Sequence, residues 1–226
     1  MSRAAIYFLV IVTLGMTIFL GWLGWATLPF NLLGWFLLGT GLVYFLGVIV
    51  VYWVRRVPFW GPRAGGEVLH QEKNEASFWF IVLGMIAAFY LPPIEYLSSN
   101  GILARNAWMQ ISGLLLIVLG TGLFIWARRT LGNFYSAHIS VVQGQLLVMH
   151  GPYRFLRHPA YAGYLLIAFG LSIGYSSVAG MVVILGLLFP SIVYRIQIED
   201  GVLAEHFGDQ FSNYERVTKR LLPFVW

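Results

Sequence analysis

The sequence predicts an all-α, polytopic membrane protein of about six transmembrane helices that ends in a C-terminal helical hairpin. Three observations carry this. Of the 226 residues, 59% are hydrophobic and 10% charged, where a soluble domain carries about 25% charged residues. Apolar runs of about 20 residues, the length that crosses roughly 30 Å of hydrocarbon, recur along the chain. The basic residues cluster between those runs, which bears on topology before it bears on any nucleic-acid partner, and none is expected. The chain has no cysteine, so disulfides, thiolate metal sites and a cysteine nucleophile are excluded.

The first apolar run, Ala4–Leu28, is longer than the roughly 7–15 residues of a signal h-region and precedes no small-x-small cleavage site. It reads as a retained transmembrane helix. Phe30–Val54, Phe78–Leu97 and Ala107–Ala127 follow as full spans, and Tyr161–Tyr175 and Val178–Ile198 form a pair joined by Ser176 and Ser177. So short a turn requires an antiparallel hairpin. The four earlier helices define an N-terminal region, 1–127, and the rest a second region, 128–226.

Charge placement tests the count. With the N-terminus inside, Arg3, Arg55, Arg56, Arg63, Lys73, Arg128, Arg129, Arg154, Arg157, Arg195, Arg216, Lys219 and Arg220 all fall on the cytoplasmic side, and only Arg105 falls outside. That is the positive-inside bias. Both termini are therefore expected in the cytoplasm. A prokaryotic inner membrane is favoured over the endoplasmic reticulum.

Within the third run, Pro92-Pro93 removes two backbone donors, so a kink or early stop is expected there. Glu95 beyond it reads as an interface residue. The second and fourth runs share Leu-Gly-Thr-Gly-Leu at Leu38–Leu42 and Leu119–Leu123, small residues that let helices approach closely. Arg55–Ala76, with Gly61-Pro62 and Gly65-Gly66, reads as an irregular solvated loop in which His70 has no partner at metal-ligand spacing. Between Arg129 and Gly151 the runs shorten: Ile139 and Val141 alternate with polar residues, Gln143-Gly144 supplies a turn, and Leu146–Val148 follows. A small local hairpin or extended lid fits that pattern. After Ile198, Leu203, Phe207, Phe211, Tyr214, Val217 and Leu221 recur every three or four residues, with Gly208 as a stop and Asp209 as a cap. This amphipathic segment either lies in the membrane interface or folds back over a cytoplasmic site.

Gly151–Tyr164, reading Gly-Pro-Tyr-Arg-Phe-Leu-Arg-His-Pro-Ala-Tyr-Ala-Gly-Tyr, is the candidate site. Pro159 suits a first helical turn, where backbone N–H groups favour an anionic or polar ligand. Arg157 and His158 add donors, and Tyr153 and Tyr161 add flat surfaces with hydroxyls. The same residues also describe a helix entry anchored at the headgroups. Arg195 and Glu199 are four apart on one helix face and can simply pair. The hairpin, however, returns them and Asp200 to the end where His158 begins the other arm.

Leu147-Val148-x-x-Gly151-Pro152-Tyr153-Arg154-x-x-Arg157-His158-Pro159-x-Tyr161-x-Gly163, followed by Arg195-x-x-x-Glu199-Asp200-x-x-Leu203-x-x-x-Phe207-Gly208-x-x-Phe211-x-x-Tyr214, resembles the signature of the isoprenylcysteine carboxyl methyltransferases, shared in outline with membrane phospholipid methyltransferases. The match covers Leu131 to Phe224. It implies S-adenosylmethionine bound in a cytoplasmic pocket between the last helices and the C-terminal segment. The implied cofactor contacts are Gln145, Leu146, Leu147, Val148, Tyr153, His158, Pro159, Ala160, Tyr161 and Glu199, with His138 upstream, and the implied acceptor-binding residue is Arg195. Arg195 and Glu199 are the expected catalytic pair. The sequence departs from the family in having Gln145 for a usual His, Asp200 for a usual second Glu, and Met149-His150 where a Thr is usual.

The function the resemblance implies is methylation of a carboxylate on an isoprenylcysteine-like or other lipidic acceptor. A phospholipid amine or small thiol acceptor remains open. A membrane reductase akin to the sterol reductases would use NADPH, and no Gly-x-Gly-x-x-Gly stands in the chain. A non-enzymatic transporter or scaffold would carry charges in mid-helix, whereas these lie at helix ends.

Overall fold

The computed structural model describes residues 3–50, 68–71, 76–99, 106–136 and 139–221. Its helices are α1 (Arg3–Thr27), α2 (Leu33–Val50), α3 (Ala76–Ser98), α4 (Ala107–Leu131), α5 (Pro159–Gly174), α6 (Val178–Phe207) and α7 (Asp209–Val217). Two short strands, β1 (Val68–Gln71) and β2 (Ser140–Val142), complete it. Among the described residues, four helical stretches are long and apolar enough to cross a membrane: Val10–Thr27, Ala76–Ser98, Ala107–Leu131 and Val178–Phe207. Leu33–Gly47 and Pro159–Gly174 are shorter apolar helices. The last helix runs nine residues past the expected end at Ile198, so the polar ends of the hairpin are unequal.

Glycines set the tightest packing. In α4 and α5, Gly113 meets Gly170 and Gly120 meets Gly163: a Cβ on Gly113 would stand 2.5 Å from the Gly170 carbonyl oxygen, and one on Gly120 2.7 Å from that of Gly163. The two pairs lie two turns apart on each helix, so the antiparallel backbones touch with no side chain between them. Of the repeated Leu-Gly-Thr-Gly-Leu, Gly41 faces Gly21 and Gly120 faces Gly163, while Gly39 and Gly122 face open space. Only one glycine of each copy therefore serves close approach.

One end of the bundle is knit by polar contacts. The Thr27 and Tyr175 hydroxyls are 3.0 Å apart, Asn31 Nδ2 donates to the Gly174 carbonyl at 2.8 Å, and Tyr96 and Gln110 both donate to the Phe30 carbonyl, at 3.1 and 3.3 Å. The ends of α1, α3 and α5 and the starts of α2, α4 and α6 thus meet, and six consecutive helices alternate in direction. Glu95 belongs to this junction: its carboxylate accepts from the Ser177 hydroxyl and, at 3.1 Å, from the Ala179 N–H. It caps α6, whose first-turn N–H groups need an acceptor, and is not simply an interface residue. Nor does α3 stop at its prolines. It continues to Ser98 with Pro92 and Pro93 buried, Pro92 lying against Gly180 of α6, because the neighbouring helix covers the disrupted turn.

Halfway along α6 the hydrogen bonding widens to a π turn, Ile184–Leu188, just before Pro190. Proline supplies no N–H, and the wider turn accommodates that. Gly180, Ile184, Leu188, Ile192, Ile196 and Asp200 are all buried. A stripe of four-residue steps drifts about 40° per step on a regular helix. The extra residue of the π turn reduces that drift, so the site-bearing end still faces α5.

Among the described residues between Arg129 and Gly151, the hairpin alternative does not form as a local pairing. β2 pairs instead with β1, antiparallel, with Val68 opposite Val142, His70 opposite Val141 and Gln71 opposite Ser140, and a register shift between Val68 and His70. Part of the loop read as solvated is therefore a strand, and Leu146–Val148 is irregular chain. Ile139 and Val141 bury their side chains with Val202, which draws β2 to α6 rather than back on itself. Phe211 and Tyr214 of α7 and Leu221 beyond it are buried as the periodicity predicts, but Val217 is 79% exposed and Thr218 buried, since the helix ends at Val217. Gly208 links α6 to α7 with φ 51°, in the left-handed region that favours glycine. Asp209 sits in the first turn of α7, where no side chain caps the helix.

Candidate functional site at the α5 and α6 ends

The opposite end of the bundle carries the site. Pro159 opens α5, with His158 before it and Tyr161 in its first turn. On α6, Arg195 lies one turn before the adjacent pair Glu199 and Asp200. Between them lies a continuous polar chain. Arg195 Nε donates to the Tyr161 hydroxyl at 2.8 Å, and that hydroxyl donates to Glu199 Oε2 at 2.8 Å. Thus Tyr161, from the other arm, joins the two residues that could have been a simple helical pair. His158 stacks on Tyr161, ring centroids 5.7 Å apart, with Nδ1 3.9 Å from Glu199 Oε1 and Nε2 2.8 Å from Asp200 Oδ1. The side chain of Glu199 keeps 32% exposure, whereas those of Asp200 and His158 keep 8% and 3%. Of the two carboxylates, Glu199 is the one a ligand can reach.

Asp200 is the structural hub. Besides His158 it accepts from Arg220 Nε at 2.8 Å and lies 3.7 Å from Arg157. Arg157 in turn donates to the carbonyls of Glu215 and Thr218, at 3.1 and 2.9 Å, and to the Glu215 carboxylate at 3.1 Å. The backbone follows the same route: Arg157 N–H donates to Lys219 O at 2.7 Å and His158 N–H to Arg220 O at 3.0 Å. The C-terminal segment therefore folds back over the site.

Tyr153 lies in a short 3-10 turn, Gly151–Arg154, and its carbonyl accepts from the Tyr214 hydroxyl at 2.7 Å. Burial, and next the nearby Glu199 carboxylate, push its phenol well above the ordinary tyrosine range, so it stands beside Glu199 as a neutral hydroxyl. Arg195 Nη1 also donates to the Ser77 hydroxyl at 3.4 Å, and the guanidinium stands over the Phe78 ring at 5.7 Å.

The structure thus brings Tyr153, His158, Pro159, Tyr161, Arg195 and Glu199 to one place, with Ala160 in the same first turn of α5. Gln145, Leu146, Leu147 and Val148 lie on the irregular chain leading into the Gly151 turn. His138 lies outside the described residues. Sequence reasoning placed Asp200 beside Arg195 and Glu199 without giving it a role, and it missed two contributors: Arg220 was visible only as one of a basic cluster, and Ser77 carries no motif. Chemically the arrangement offers a reachable carboxylate for a cationic group, a guanidinium for an anionic one, and stacked rings between them.

Residues 108–210 match the family model described as phospholipid methyltransferase. The chain is similar to protein-S-isoprenylcysteine O-methyltransferase A of Arabidopsis thaliana, 28% identical over 61% of this chain and 73% of that protein. It is also similar to the protein-S-isoprenylcysteine O-methyltransferases of Saccharomyces cerevisiae, 28% identical over 62% and 59%, and of Homo sapiens, 30% identical over 54% and 44%. The alignments thus span between 44% and 73% of the length of these relatives. The chain is thus similar to proteins named as methyltransferases over about half its length, and its described helices include four long and apolar enough to cross a membrane.

Proposed function

We propose that this protein transfers the methyl group of S-adenosylmethionine to the carboxylate of an isoprenylcysteine-like or other lipidic acceptor, at the cytoplasmic face of the membrane. The observation that carries the reading is the Arg195–Tyr161–Glu199 chain, which sets a guanidinium and a part-exposed carboxylate at either side of one hydroxyl. The donor set fits the cofactor. Glu199 is reachable and faces a site where a sulfonium or ammonium is balanced by charge, and the His158 and Tyr161 rings offer flat surfaces. Bound there, S-adenosylmethionine supplies an already activated methyl group.

An ionised carboxylate acceptor needs no general base. The residues have to align the two partners and exclude water. Arg195 holds the acceptor anion through a charge-assisted hydrogen bond, Tyr161 fixes its angle, and Asp200 keeps the His158 ring in place. The segment Asp209–Leu221 closes the polar side. This reading takes six membrane crossings with both termini cytoplasmic, supported by the alternating helices and the distribution of basic residues, and an acceptor anchored in lipid reaches Arg195 sideways. Gln145, Leu146, Leu147, Val148, Pro159 and Ala160 complete the cofactor contacts on this reading.

Calorimetry on the purified protein in nanodiscs is expected to show binding of S-adenosylmethionine and of its demethylated product. Glu199→Ala should weaken that binding tenfold or more, and Arg195→Ala should impair transfer to a prenylcysteine carboxylate more than it impairs cofactor binding. Absence of binding by the unsubstituted protein ends the methyltransferase reading. Intact transfer by the Arg195 variant ends the assignment of that residue.

A further inference from the structure

We propose that the outer rim of the C-terminal cover is a docking surface for anionic lipid headgroups. The rim forms where two segments lie side by side: Lys219 N–H donates to the Phe155 carbonyl at 3.3 Å, next to the bond from Arg157 N–H to Lys219 O. It carries two apolar side chains that the fold leaves out, Phe155 at 53% and Val217 at 79% exposure. Arg154 stands over the Phe155 ring at 4.5 Å, and Arg154, Arg216 and Lys219 are exposed. The acid of this stretch, Glu215, is already engaged by Arg157 at 3.1 Å and approached by Arg220 at 3.9 Å, so it does not offset those three cations.

Depth selects the partner. The turn that carries Arg154 rests on the end of α4: a Cβ on Gly151 would be 2.8 Å from Thr130 Oγ1 and 3.4 Å from Trp126 Nε1. Trp126 is 49% exposed near the end of a membrane-length helix, the position where tryptophan marks the headgroup level. Exposed basic and apolar side chains together at that level match an anionic bilayer surface, which takes up the apolar groups and attracts the cations. Because the same segment supplies Arg220 to Asp200 and the Thr218 carbonyl to Arg157, a lipid seat on the rim steadies the cover over the site. This inference rests on the geometry of the rim and is independent of the reaction assigned above.

Backbone amide exchange over Asp209–Leu221, measured on the full chain in phosphatidylcholine nanodiscs with and without phosphatidylglycerol, tests it. Each cation near an anionic surface contributes about fivefold in binding, so phosphatidylglycerol is expected to slow exchange in this segment about tenfold or more. The triple variant Arg154→Gln, Arg216→Gln, Lys219→Gln should lose that response, and Phe155→Ser with Val217→Ser should reduce it. The α4 amides, unchanged in each variant, report that the fold persists. Equal exchange in the two bilayers, or a triple variant that responds as the unsubstituted protein does, overturns the proposal. Equal protection by inorganic phosphate in phosphatidylcholine alone also overturns it, because the rim would then bind free anions and not a lipid surface.

Discussion

Tyr161 holds a single hydroxyl between a cation and an anion, receiving from Arg195 and donating to Glu199. Hydrogen bonds to charged groups contribute about 1.5–3 kcal/mol. Tyr161→Phe keeps the ring stacked on His158 and removes both bonds, so kcat/KM in a methyl-transfer assay is expected to fall ~10- to 100-fold. Asp200 behaves differently because its partners tie down the cover. Asp200→Asn leaves Arg157 and Arg220 facing a neutral amide, and breaking a buried pair on one side costs about 3 kcal/mol. Denaturant unfolding in detergent should show that loss, and Asp200→Glu should recover part of it. A stability change no larger than that of Tyr161→Phe would mean that Asp200 is not the hub.

At the scale of elements, α4 and α5 are held by backbone contact rather than by side-chain interdigitation. Gly113→Ala places a methyl group 2.5 Å from the Gly170 carbonyl oxygen and 2.7 Å from Gly174 Cα. Overpacking of this kind costs about 1–3 kcal/mol, and the thermal unfolding midpoint should drop accordingly. Gly122→Ala on the same helix meets nothing within 4 Å and is the matched control, expected to leave the midpoint unchanged. The π turn of α6 works at this scale too, keeping one face inward from Gly180 to Asp200 and so delivering Glu199 to α5.

Across the whole molecule, the polar junction at the far end and the site at the near end separate two faces. With no cysteine in the chain, single introduced cysteines report their orientation. Ser98→Cys should react with an impermeant maleimide only from outside intact cells, and Ser212→Cys only after permeabilisation; the opposite pattern would invert the topology. Much of this layout was legible in the sequence. Apolar runs gave the helices, and the two serines between the last two forced a hairpin that returns Arg195 and Glu199 to His158. What stayed hidden depends on contacts distant in sequence. Nothing near Ser140 announces that its partner strand is Val68–Gln71, and nothing near Glu95 announces a helix start 82 residues later. The π turn was equally hidden, since Pro190 alone predicts a disruption without its form. Nor does periodicity distinguish Val217 from Thr218, because it cannot say where the last helix turn ends.

The glycine contacts between α4 and α5 also assign the moving parts. Two backbones pressed together at Gly113 with Gly170 and Gly120 with Gly163 have no side-chain rotamers through which to slide, so His158 and Tyr161 ride on a fixed jaw. Any opening that admits or releases a ligand has to come from the other jaw, the free end of α6 with the strap that Arg157 and Asp200 clasp to it. For the proposed transfer, ligand exchange is then expected to follow how often a few ion pairs let go, while the helical anvil behind them stays still.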